Sequence, residues 1–191
     1  MRTLRTGLAT ALLVAGLGLA PVSPAATIAV AAPTVAPMTY CGLNWGSLPE
    51  SKSGTSKATV TDVRAGRHSC YDRLVIDFKG KIKGYDVRYV KAVYTEGEGR
   101  RVPLSGDADL RIIVKAPAYD SDGDATYRPD SRTRAVSVSG FRTFKQVAFL
   151  GSWEGQTTFG LGTRARLPFR TFILDRSGGR SRLVIDVAHY W

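Results

Sequence analysis

Arg73-Leu74-Val75-Ile76-Asp77-Phe78 decides the fold class of this chain. Leu74, Ile76 and Phe78 share one parity, and Arg73, Val75 and Asp77 the other. A β-strand places alternate residues on opposite faces, so this pattern predicts a half-buried antiparallel strand. The same five residues, R-L-V-I-D, return at Arg182-Leu183-Val184-Ile185-Asp186, an offset of 109 residues. That offset is far too long for a solenoid unit. It predicts either two pseudo-equivalent strands, one in each half of a sandwich, or two separate strands that share an amphipathic pattern.

Working outward, Leu110, Ile112 and Val114 repeat the alternation with Arg111 and Lys115 facing away. Runs of β-branched and aromatic residues, separated by Gly, Asp, Ser and Pro clusters, predict strands over 59–64, 72–79, 85–94, 110–116, 135–138, 144–150, 157–161, 169–174 and 182–188. No segment holds a helical period over three turns. The reading is an all-β chain, a sandwich or barrel. Ser177-Gly178-Gly179-Arg180 predicts a turn, and hence a hairpin between the last two strands.

The N-terminus has a different character. Arg2 and Arg5 precede an uncharged apolar run from Gly7 to Leu19, followed by Ala- and Pro-rich sequence with small residues at Ala29-Val30-Ala31. This is the pattern of a secretory signal peptide, placed at residues 1–31. No lipobox precedes Cys41, and no later stretch reads as a membrane span. Residues 32–58, rich in Pro, Ser, Gly and Lys, read as a linker and N-terminal loop, and residues 59–191 as the folded domain. Export permits a disulfide. Cys41 and Cys70, the two cysteines of the chain, form the expected bridge. Closing that loop is worth roughly 3–4 kcal/mol in the chain-entropy view.

The formal charge of the 191 residues is +11. Such a balance usually raises nucleic acid as a partner, but export argues against intracellular nucleic acid. Two positive charges belong to the expected signal. Residues 131–191 carry ten basic and three acidic side chains, net +7, so the positive field is concentrated at the C-terminal side and favours polyanionic partners.

Catalytic signatures are missing. No G-x-S-x-G elbow, H-E-x-x-H or P-loop occurs. His68 and His189 read as structural or surface residues. An enzymatic reading would need a cleft joining one of them to a carboxylate or hydroxyl. Asp77 and Asp186 resemble a glycosidase carboxylate pair, but each shares a strand face with an Arg, which predicts ion pairing. Asp120-Ser121-Asp122-Gly123-Asp124 places three carboxylates at alternate positions, a weak Ca²⁺ candidate whose spacing fails the EF-hand frame. No cofactor is expected. The segment 153–170 offers the best binding candidates: Trp153 for stacking, with Arg164, Arg166 and Arg170 to hold carboxylates or phosphates. Tyr119 and Tyr127, flanking the acidic loop, are secondary candidates.

The twin R-L-V-I-D strands resemble those of the AMIN domain of bacterial cell-wall amidases, and most closely the AMIN-like proteins secreted by actinobacteria. Val102-Pro103-Leu104-Ser105-Gly106, Val147-Ala148-Phe149-Leu150-Gly151, Glu154 to Gly162, Leu167-Pro168-Phe169-Arg170 and Leu183 to His189 also fit that group. The resemblance spans residues 59–191. It implies a β-sandwich of two similar sheets and a non-catalytic module that targets the envelope, commonly by binding peptidoglycan. No residue-level binding motif carries over with it. The sequence reaches Trp191 directly after the resembling region, so no amidase or secretin region is expected in cis. The combined expectation is a secreted, cell-wall-associated module binding peptidoglycan or an anionic wall polymer. The alternative is an adaptor for an envelope protein, or an inhibitor of a cell-wall hydrolase.

Overall fold

The structure, a computed structural model, describes residues 40–191. The expected signal segment, residues 1–31, lies outside the described residues, as do residues 32–39 of the expected linker. Among the described residues no helix is long and apolar enough to cross a membrane.

Eleven strands follow in chain order: β1 (Glu50–Lys52), β2 (Thr59–Arg67), β3 (Tyr71–Lys79), β4 (Tyr85–Val90), β5 (Val93–Tyr94), β6 (Arg101–Val102), β7 (Ala108–Val114), β8 (Phe144–Trp153), β9 (Gln156–Thr163), β10 (Phe169–Arg176) and β11 (Arg180–Ala188). They build a five-stranded sheet in the order β1-β4-β7-β9-β8 and a four-stranded sheet in the order β10-β11-β3-β2. All pairings are antiparallel. The fold is the expected all-β sandwich. Its core is the alternation read from the sequence: Leu74, Ile76 and Phe78 from β3, and Leu183, Ile185 and Val187 from β11. They pack with Leu110, Ile112, Val114, Phe159 and Leu161 of the facing sheet, all buried. Burying such side chains supplies roughly 1.5–3 kcal/mol each.

The twin strands do not fall one in each half. They are neighbours in the same sheet, with Val184 opposite Val75 and Arg73 opposite Asp186. Antiparallel pairing of two copies of R-L-V-I-D creates a local pseudo-two-fold axis. Each Arg then meets the other strand's Asp: Arg73 Nε donates to Asp186 at 2.6 Å and Arg182 Nε to Asp77 at 2.6 Å. The outer strands extend both clusters by the same symmetry. Arg170 of β10 donates to Asp186 at 2.9 Å, and Arg64 of β2 to Asp77 at 2.8 Å. The outward charges were legible. Their partners depend on register, which a single strand does not specify.

Three segments differ from expectation. Residues 135–138 form no strand, although the Ala135 amide donates to the Val147 carbonyl at 2.8 Å. Ser137 is exposed and Gly140 turns the chain at positive φ just beyond, so the segment only brushes the sheet edge. The expected strand over 85–94 bends at Lys91, so that Val93–Tyr94 pairs with Arg101–Val102 instead. In the segment read as linker and N-terminal loop, Glu50–Lys52 forms the edge strand β1. Glu50 also accepts from the Thr171 amide at 2.6 Å. Cys41 and Cys70 are bridged, with 6.1 Å between Cα atoms, tying this segment to the start of β3.

The short β5–β6 hairpin covers the outer face of the five-stranded sheet through a second cluster of Val93, Ala148 and Leu150, with Val102 and Leu104 against it. Two glycines of β9 permit that approach. A Cβ on Gly162 would lie 2.1 Å from the Ser105 carbonyl oxygen, and one on Gly160 would lie 3.0 Å from Leu104.

Candidate functional site

β8 and β9 are joined by Glu154-Gly155, both at positive φ (47° and 77°). This is the geometry of a two-residue type I′ hairpin turn. It ends β8 at Trp153, whose side chain is 58% exposed. Beside it lies the long connection from β7 to β8. Residues 118–127 are anchored to the sandwich at several points. The Thr126 hydroxyl donates to the Val60 carbonyl at 2.7 Å, and the Ala118 amide donates to Ser152 Oγ at 2.9 Å. The Gly155 amide donates to Tyr119 Oη at 3.2 Å, which fixes the loop against the turn that carries Trp153.

Between them opens a cleft of about 530 Å³, lined chiefly by Trp153, Tyr119, Tyr127, Phe149, Arg128 and Arg132, with Glu96 on the wall. Its floor is aromatic: Tyr127 meets Phe149 at 5.5 Å and Phe159 at 6.0 Å between ring centroids. The Arg132 guanidinium lies over Phe149 at 5.2 Å, held by a 3.4 Å hydrogen bond to the Leu150 carbonyl. Arg128 is exposed and makes no ion pair among the described residues. Glu96, the lone carboxylate of the lining, accepts from the Thr158 hydroxyl. Burial pushes the Tyr127 phenol up to about 12, with help from the nearby negative charge of Asp62. Its buried hydroxyl has no hydrogen-bond partner among the described residues. Aromatic faces beside arginine forks suit a sugar ring carrying a carboxylate. A lone wall carboxylate does not make the acid–base pair that glycoside hydrolysis uses.

The fold brings Trp153, Tyr119 and Tyr127 together and carries Arg164, Arg166 and Arg170 away. Arg164 follows the far end of β9, so at about 3.3 Å per residue it sits some 25 Å from Trp153. These three arginines are engaged elsewhere. Arg164 donates to the His189 carbonyl and lies over Tyr190 at 5.3 Å. Arg166 grips Ser47 through Nε at 3.1 Å and Nη2 at 3.0 Å. Arg170 binds Asp186 and stacks on Trp45 at 4.4 Å. The cations at the cleft are Arg128 and Arg132, which sequence reasoning missed. Arg128 falls directly after Tyr127, and that adjacency was the available signal.

The acidic loop is turned in on itself. Asp120 Oδ1 accepts from the amides of Asp122 and Asp124, each at 3.0 Å. These two bonds make Asp120 the cap of the turn that carries Asp122 and Asp124; among the described residues no three His, Cys, Asp or Glu side chains converge as a metal site.

His189 is not isolated. Its Nε2 lies 3.1 Å from Asp72 Oδ1, and Asp72 Oδ2 accepts from the Thr143 and Phe144 amides at 2.6 and 3.1 Å. This is the His–carboxylate contact an enzyme reading asks for. Yet both side chains are buried, and His189 Nδ1 is sealed from solvent with no partner among the described residues. The pair clamps the end of β11 to the start of β8. His68 stacks on Tyr71 at 4.5 Å. Asp77 and Asp186, the other pair of interest, are each held between two arginines.

The AMIN-like domain model matches residues 58–189, most of the sandwich just described. The chain belongs to the AMIN-like domain family. Membership points to a cell-wall-related binding module, and AMIN-like domains are in general non-catalytic. Neither the curated proteins nor the solved structures contain a match to this chain.

Proposed function

We propose that this AMIN-like chain is a secreted, non-catalytic envelope-binding module whose Trp153 cleft takes a glycan strand of peptidoglycan. The observation that carries the reading is the cleft itself: an exposed tryptophan, two tyrosines and two arginines around one concave surface. The sugar ring stacks on Trp153, and a peptide or lactyl carboxylate lies against Arg128 and Arg132. The signal-like N-terminus and the Cys41–Cys70 bridge support export, since disulfides persist in oxidising compartments.

The test is retention on purified peptidoglycan at low and high salt. Trp153→Ala and the double variant Arg128→Ala/Arg132→Ala should each lower retention at least fivefold with unchanged circular dichroism. Absence of wild-type retention at low salt defeats the proposal.

One observation favours a second reading, a protein adaptor or hydrolase inhibitor. Leu48 (75% exposed), Tyr190 (48%) and Trp191 (64%) gather at the opposite end of β9. There Trp191 Nε1 donates to the Arg166 carbonyl at 3.1 Å while Arg166 grips Ser47. Co-purification of an envelope protein that is lost on Trp191→Ser would favour this reading.

A further inference from the structure

The four-stranded sheet turns one face to the core; its outer face buries Val75, Val184 and Asp186 and opens to solvent toward the β10–β11 hairpin. At the hairpin end of its open face, register places Arg176 opposite Arg180, and Arg180 opposite Lys79. Three cations therefore stand side by side across β10, β11 and β3. All three are exposed, and none makes an ion pair among the described residues. Like charges directly opposite one another destabilise a sheet, so the fold gains nothing from this row.

The row borders a groove of about 630 Å³ that also includes Arg64 and Arg182. Those two arginines bind Asp77 through Nε at 2.8 and 2.6 Å. Their Nη amines make no hydrogen bond among the described residues. Of the two carboxylates at the groove, Asp77 is taken by this pair and Asp62 accepts from the Val63 amide at 2.8 Å. Five cations thus face two carboxylates, which leaves the groove with a net positive charge. One small anion cannot answer several cations spread over four strands spaced about 4.8 Å apart. A chain of anions can, and arginine forks match tetrahedral oxyanions bidentately.

We propose that this open face is a second binding site, independent of the Trp153 cleft, for a linear polymer of phosphodiester groups. The polymer runs across β10, β11 and β3, with successive phosphates at Arg176, Arg180 and Lys79 and the free amines of Arg182 and Arg64 at its flank.

The test is calorimetric titration of the full chain with a synthetic oligo(glycerol phosphate) at low salt. Arg180→Glu should weaken binding at least tenfold, while Trp153→Ala leaves it unchanged. The melting temperature of Arg180→Glu should hold or rise, because the like-charge row is relieved. Unaltered binding by Arg180→Glu overturns the proposal, as does a loss of binding matched by a loss of thermal stability. Equal affinity for poly-glutamate of the same length overturns the phosphate assignment. Retention on anionic phospholipid vesicles without binding to the polymer would move the site to a membrane surface and overturn the polymer.

Discussion

The pseudo-two-fold axis between β3 and β11 relates two charge clusters that are alike in pattern and unlike in burial, which gives a sharp energetic comparison. Asp186 has a fully buried side chain and accepts three charge-assisted hydrogen bonds, from Arg73 Nε (2.6 Å), Arg73 Nη2 (2.9 Å) and Arg170 Nε (2.9 Å). Asp77 has a side chain 20% exposed and accepts two such bonds, from Arg64 (45% exposed) and Arg182 (29%). Asn in place of Asp keeps the shape, removes the charge and turns an amide donor toward a guanidinium. Hydrogen bonds to charged groups contribute about 1.5–3 kcal/mol each. The arginines around Asp186 can partly rehydrate when released, which offsets some of the loss. Asp186→Asn should therefore cost about 3–4 kcal/mol. Asp77→Asn, in a pair already screened by solvent, should cost about 1–2 kcal/mol. For a domain of this size each kcal/mol moves the melting temperature by about 2–4 °C. Urea unfolding of both variants at pH 7, with equal m-values, measures the difference. Equal losses, or a larger loss for Asp77→Asn, would refute the argument that burial sets the value of each half.

Gly162→Ala places a methyl group 2.1 Å from the Ser105 carbonyl and should cost about 1–3 kcal/mol as overpacking, whereas Gly66→Ala, with open space at its Cβ, should be near neutral. Parallel thermal melts compare the two. Tyr127→Phe removes a buried hydroxyl that has no partner among the described residues, so stability should hold or rise by up to about 1 kcal/mol. In the wild type, ultraviolet titration should show one tyrosine ionising only near pH 12, as burial dictates. Burial tends to raise the Asp77 pKa, but hydrogen bonds from Arg64 and Arg182 outweigh it and hold the carboxyl below its ordinary value. Its contribution is therefore present above the unfolded carboxylate range, near pH 4, and is lost as pH falls through the depressed folded value. Stability curves from pH 7 to 2 should fall less steeply for Asp77→Asn than for the wild type.

Much of the fold was legible because period-2 alternation is a one-strand property. Leu74, Ile76 and Phe78 face the core as read, and Ser177-Gly178-Gly179 turns β10 into β11. Partnership was less legible. The twin strands lie side by side because antiparallel register satisfies both Arg–Asp pairs at once, a two-strand property that one strand does not display. Glu50–Lys52 adds to an edge by backbone pairing with β4, which polar side chains do not announce. The binding residues divided for a geometric reason. Trp153 and Arg170 are close in sequence, but β9 runs its full length between them. Tyr119, Tyr127, Arg128 and Arg132 reach Trp153 from a different part of the chain.

The order of strands in the four-stranded sheet, β10-β11-β3-β2, bears on how the protein reaches its folded state. A central strand, β11, is the last of the eleven to be synthesised. The hairpin of β2 and β3 can close early, but it must wait with one hydrogen-bonding edge of β3 open until residues 180–188 arrive. Contacts such as Arg73 with Asp186, 113 residues apart, put this chain among the slow, high-contact-order folders. During that wait the exposed edge of β3 is open to pairing with other chains. Arg73 and Asp77 stand along that edge and place charges on it until β11 supplies their partners.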